Sequence, residues 1–144
     1  MKSEYILNNE EETSAFGLSL GRKLGAGDLV AMIGDLGTGK TTLTKSIAEG
    51  LGVTEMITSP TFTIVQEYHS GRVPLYHFDV YRIDDLEEMY ELGYEEYFFG
   101  GGVSIVEWAD KIIDLIPEKS VIIEIAYGTD VDNPDQRRYT VQGI

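Results

Sequence analysis

The sequence predicts an α/β fold, a layered sandwich around a mixed, mainly parallel sheet, and three observations predict it. An apolar run, LVAMI at 29–33, leads directly into GDLGTGKTT at 34–42, after which Leu43, Ile47, Ala48 and Leu51 recur at helical spacing. Two more apolar runs, VSIVE at 103–107 and VIIEI at 121–125, read as strands buried on both faces. Upstream of them, ITSPTFTIVQEYHSGRVPLYHFDVYRI at 57–83 carries two β-rich runs on either side of His69–Arg72, the pattern of an antiparallel hairpin. Strand, glycine-rich loop and helix in that order, followed by further strands, give a three-layer P-loop NTPase-like sandwich with an antiparallel hairpin.

Each element has its own signal. Ser3–Leu7 reads as a short strand, and Asn9 is placed to cap a helix from about Glu10 to Leu24, with Glu12 three residues on as its capping-box partner. Gly25–Asp28 is a loop into the strand at 29–33, and Gly50 and Gly52 end the helix that follows the glycine-rich loop. Asp84–Leu92 reads as a helix with Leu86, Met89 and Tyr90 packed inward, and RRYTV at 137–141 as a last strand at the sheet edge. The chain, 1–144, is expected to form one domain, with no room for a separate substrate domain.

The glycine-rich loop carries the chemistry. Gly34, Gly39, Lys40 and Thr41 fit G-x-x-x-x-G-K-[ST], the phosphate-binding loop. Glycines let several backbone N–H groups converge on one anion. The Lys40 ammonium then reaches the β- and γ-phosphates, the Thr41 hydroxyl is placed for Mg²⁺, and the helix dipole points at the same charge.

Composition narrows the partners. The net charge is −14, with 25 acids against 11 bases. Affinity for nucleic-acid backbones comes largely from lysine and arginine, so direct, independent nucleic-acid binding is not expected; the charge suits a basic protein surface as partner, or serves solubility alone. Cysteine is absent, which removes disulfides and thiolate metal sites. MKSEYILNNEEE has no signal-like apolar core and no stretch has the length of a membrane span, so a soluble cytoplasmic protein with no membrane association is expected.

Ligands of such sheets sit at the carboxyl ends of the strands. Glu107 closes VSIVE and should emerge near the phosphate loop, where it serves a magnesium ion or is only a solvated strand end. His77 and Asp79 alternate in LYHFDVY and share a face; one of them orients an attacking water or holds the metal's water shell, or both belong to a polar hairpin face. In SPTF, the hydroxyls of Ser59, Thr61 and Thr63 meet the γ-phosphate or merely cap a strand.

Taken together, GDLGTGKTT, TSPTFTIVQEY, PLYHFDVYRI, ELGYEEYF and GVSIVEWADKI with LIPE resemble, in order over about residues 5 to 141, the bacterial TsaE family, the ATPase subunit of the machinery that makes threonylcarbamoyladenosine in tRNA. The resemblance implies ATP and Mg²⁺ as ligands and a two-subunit threonylcarbamoyl transferase, which itself holds the tRNA, as partner. By position it implies that Gly37, Thr38, Gly39, Lys40, Thr41 and Thr42 wrap the phosphates and that Thr41 and Glu107 serve the magnesium. It makes Asp79 a catalytic or switch carboxylate and puts Thr61 in a switch-like segment that senses the γ-phosphate. Thr13 is implied near the adenine, and Arg137 or Arg138 is implied to close over the nucleotide.

Other classes fit less well. A small-molecule kinase needs an acceptor pocket and arginines to clamp the transferred phosphate, and none of Arg22, Arg72, Arg82, Arg137 and Arg138 lies beside the loop motif. A GTPase needs an Asn-Lys-x-Asp segment, and no Asn-Lys pair occurs. A nucleotide-gated binding module with negligible hydrolysis stays open.

Overall fold

The computed structural model describes residues 2–34, 39–60 and 63–143. Strands β1 (Lys2–Leu7), β2 (Leu29–Gly34), β3 (Val65–Tyr68), β4 (Leu75–Asp79), β5 (Val103–Glu107), β6 (Val121–Tyr127) and β7 (Arg137–Gln142) form one sheet in the order β1-β7-β6-β2-β5-β4-β3. The centre, β6-β2-β5-β4, is parallel throughout, and β1, β7 and β3 join it by antiparallel pairs. Helices α1 (Glu10–Lys23), α2 (Lys40–Gly50), α3 (Glu87–Leu92) and α4 (Tyr94–Phe98), with a 3-10 helix at Ala109–Leu115, complete the fold.

Side-chain alternation sorts these elements into three layers. β2 sends Val30 and Met32 to one face, where Leu43 and Ile47 of α2 and Leu20 of α1 meet them. Leu29 and Ala31 point the other way, into a second core with Phe78, Val106, Met89, Phe98 and Ile112. All of β5 is buried, as a strand covered on both faces must be. Among the described residues no helix is long and apolar enough to cross a membrane.

Local chemistry sets the boundaries. The Asn9 side chain accepts from the Glu12 N–H at 2.9 Å, as a capping box requires, but Glu12 returns its bond to the Asn8 N–H, at 3.3 Å, one residue earlier than the motif implies. Helices α1 and α2 approach to backbone contact. A Cβ on Gly21 would lie 2.2 Å from the Ile47 carbonyl oxygen, and one on Gly50 2.4 Å from that of Leu18.

Three expectations need correction. Strand β7 is not at an edge: β1 pairs with it along its whole length, from Lys2↔Gln142 to Leu7↔Arg137, a long-range pairing that no local pattern announces. The acidic helix starts at Glu87, not Asp84, with Leu86 at its N-cap: the N–H groups of Asp84 and Asp85 are taken by the Glu88 carboxylate and that of Glu87 by the Asp85 carboxylate, side-chain bonds that hold this stretch as a turn ahead of the helix. Tyr90 is not packed inward. It is 51% exposed, with its ring against Tyr94, while Met89, one helical step away, fills the core.

Candidate nucleotide site

Three carboxyl-terminal strand ends and one helix start converge. Gly39, at φ 94°, occupies the left-handed region that glycine alone takes without strain, and from it α2 starts at Lys40. Asp79 and Glu107 are register partners at the ends of β4 and β5, and Met32 of β2 lies on the other side of Glu107. A cavity of about 340 Å³ lies between them, lined by Gly39, Lys40, Thr41, Thr42, Ser59, Asp79, Glu107 and Trp108.

Lys40 is buried, 5% exposed, and its contacts include a 2.7 Å hydrogen bond from Nζ to the Gly34 carbonyl and the Trp108 ring, whose centroid is 4.0 Å from Nζ. Trp108 reaches this place through a left-handed backbone, φ 63°, and its ring also meets Tyr81, at 4.7 Å between centroids. A bulky residue in that region is strained, and such strain collects at functional sites.

The Asp79 carboxylate accepts from the Ser59 hydroxyl at 3.2 Å and from the Tyr81 N–H at 3.0 Å. Its backbone N–H donates to the Ile64 carbonyl at 2.8 Å, and Ile64 is itself left-handed at φ 69°. The segment around SPTFT is therefore fastened to Asp79 on both sides of Thr61 and Phe62. Glu107 is 3% exposed; one carboxylate oxygen is bonded to His77 Nε2 and lies 3.4 Å from the Thr44 hydroxyl.

Of the residues singled out from sequence, the cavity gathers Gly39, Lys40, Thr41, Thr42, Asp79, Glu107 and Ser59. Gly37, Thr38 and Thr61 lie outside the described residues. Gly34 and Arg138 line a neighbouring cavity of about 330 Å³, with Tyr127 and Thr140, on the β6–β7 side of the loop. Thr13 lines neither cavity. It is buried in the first turn of α1, where its hydroxyl donates to the Asn9 carbonyl at 3.3 Å. Its neighbour Tyr139 is fully buried, and burial pushes that phenol up to about 12. Sequence reasoning gave no role to Trp108 or Thr44. Thr44 stands one helical turn after Lys40, a spacing that could have exposed it, whereas the left-handed turn at Trp108 leaves no mark in the sequence.

The family model described as Threonylcarbamoyl adenosine biosynthesis protein TsaE matches residues 7–138. The chain belongs to the TsaE family. Among its TsaE relatives, the tRNA threonylcarbamoyladenosine biosynthesis protein TsaE of Bacillus subtilis is 46% identical over 136 residues, covering 94% of this chain and 82% of the relative. The TsaE protein of Treponema pallidum is 41% identical over 120 residues, covering 83% and 88%. The crystal structure of Bacillus subtilis YdiB superposes with a TM-score of 0.80 at 40% identity, covering 98% of this chain and 84% of that one. Family and fold thus agree with what the motifs from GDLGTGKTT to GVSIVEW imply.

Proposed function

We propose that this TsaE-family chain is a Mg²⁺-dependent ATP hydrolase of tRNA threonylcarbamoyladenosine biosynthesis. It acts in the cytoplasm as one domain, on a two-subunit threonylcarbamoyl transferase that itself holds the tRNA. The observation that carries the reading is the single cavity in which Lys40 and Thr41 of the phosphate loop face Asp79 and Glu107.

The residues present suit the ligands. Oxygen donors from one hydroxyl, Thr41, and one buried carboxylate, Glu107, match a small hard cation that keeps most of its shell as water and phosphate. Bound there with the nucleotide, magnesium would neutralise charge on the β- and γ-phosphates.

The chain's own side chains supply the rest. Lys40 exchanges its bond to the Gly34 carbonyl for phosphate oxygens. Gly37 to Thr42 give the loop N–H groups, and Arg138, beside Gly34 in the adjoining cavity, closes over the nucleoside side. Asp79 orients the attacking water, and Thr61, in the segment that Ser59 and Ile64 fasten to Asp79, senses the γ-phosphate. Thr13 is assigned an indirect role at the adenine side, through its packing near Tyr139.

Both Asp79 oxygens are already engaged, by Ser59 and Tyr81, so hydrolysis by the free protein is slow and docking on the partner speeds it. The acidic surface supports a protein partner over direct tRNA binding. The test is Mg²⁺-ATP turnover measured alone and then with the transferase pair. Slow turnover that rises with the pair is expected. No turnover in either condition, with nucleotide still bound, would leave only a nucleotide-gated binding module.

A further inference from the structure

We propose that His77 is a positioning residue of this site, holding the Glu107 carboxylate for the metal; the inference rests on the nucleotide and magnesium reading above. His77 lies two residues before Asp79 on β4 and shares its face, yet it sits one step deeper, opposite Ile105 of β5. Its side chain is fully buried and is not part of the cavity lining, so it meets neither attacking water nor nucleotide.

What it does meet is Glu107. Nε2 contacts Glu107 Oε2, and Thr44 Oγ1 lies 3.4 Å from the same oxygen. Thr44 has one hydroxyl proton, and its shorter contact, 2.9 Å to the Lys40 carbonyl, takes it. His77 is therefore the principal donor to Glu107. A carboxylate only accepts, so Nε2 carries the proton. Nδ1 is buried without a partner among the described residues, and an unmet N–H there is rarer in folded proteins than an unmet acceptor. The ring thus donates from Nε2, occupying Oε2 and leaving Oε1 of Glu107 for the cavity. Partners that orient a metal-binding side chain in this way govern metal affinity by about 10- to 100-fold.

The experiment titrates Mg²⁺ against ATP binding in wild type, His77→Asn and His77→Gln, with ATP binding also measured without Mg²⁺. Asparagine is too short to reach Glu107, whereas glutamine places an N–H close to where Nε2 stands. The Mg²⁺ half-saturation should rise about 10- to 100-fold in His77→Asn and stay near wild type in His77→Gln, with Mg²⁺-free ATP affinity equal in all three. An unshifted half-saturation in His77→Asn would overturn the proposal, as would an equal loss of Mg²⁺-free binding, which marks a merely structural residue. A wild-type protein with no Mg²⁺ response would instead defeat the magnesium reading itself, and this inference with it. Nitrogen-15 spectra of the wild-type histidines, with His69→Gln to assign them, need no core variant. They should show a protonated Nε2 and a bare Nδ1 on His77, and the opposite tautomer would end the proposal.

Discussion

The sharpest test of the site is Lys40→Met. Alanine would empty the space that the lysine stem fills beside Trp108, whereas methionine keeps most of that volume and removes only the charge. In the free protein the ammonium donates to the Gly34 carbonyl and lies over the Trp108 ring, contacts of about 1.5–3 and 0.5–2 kcal/mol respectively. Removing a buried charge also removes its desolvation cost, so the folded state should change by no more than about 1 kcal/mol. In the complex the lost contact to phosphate is again about 1.5–3 kcal/mol, but the wild type has to release Gly34 to make it. The net loss of ATP affinity should therefore lie at the low end, about tenfold. Hydrolysis should suffer more, by about 100-fold or beyond, because charge on the phosphoryl oxygens must be stabilised in the transition state as well. Calorimetric titration with ATP and a phosphate-release assay read the two quantities separately. A folded Lys40→Met protein with wild-type affinity and turnover would refute the assignment of the cavity to phosphate.

Asp79→Asn should keep ATP affinity within about threefold and lose most single-turnover hydrolysis, since the amide oxygen can still accept from the Tyr81 N–H while the carboxylate charge is gone. Gly50→Ala should lower the melting temperature by several degrees. Its Cβ would meet only backbone, at 2.4 Å from the Leu18 carbonyl oxygen, and overpacking of this kind costs about 1–3 kcal/mol. The phenol of Tyr139 sets an alkaline limit, because burial raises it to about 12. Between about pH 10 and 12 the unfolded chain loses this proton while the native protein keeps it, so stability present below pH 10 falls by roughly 3 kcal/mol as pH rises. Urea unfolding across that range should show the slope, and Tyr139→Phe should flatten it.

Much of this was legible because the informative residues are local. GDLGTGKTT declares its loop by spacing, and VSIVE announces both a buried strand and the place where Glu107 emerges. The hairpin is readable from its turn, although its strands are shorter than the β-rich runs, because Ile64 bends into a left-handed turn before β3. What stayed hidden depends on distant partners or on backbone angle. Nothing near RRYTV says that β1 will cover it, and nothing in VEWAD says that Trp108 will turn back over Lys40. His77 and Asp79 look equivalent by alternation. Only the register of β4 on β5 separates one as buried support from the other as a cavity group.

The contact between α1 and α2 bears on how the molecule can change shape. With Gly21 and Gly50 bringing the two backbones together, the pair is locked at that crossing, where one helix cannot slide on the other without a clash of main chain. Helix α2, which begins at Lys40, thus rests on an anvil. If a nucleotide binds at Lys40 as proposed, α2 is braced against being pushed back, and the path left open runs through Asp79 and its bonds to Ser59 and Ile64 toward the hairpin at the sheet's edge. A partner that is to sense the nucleotide has its best grip there.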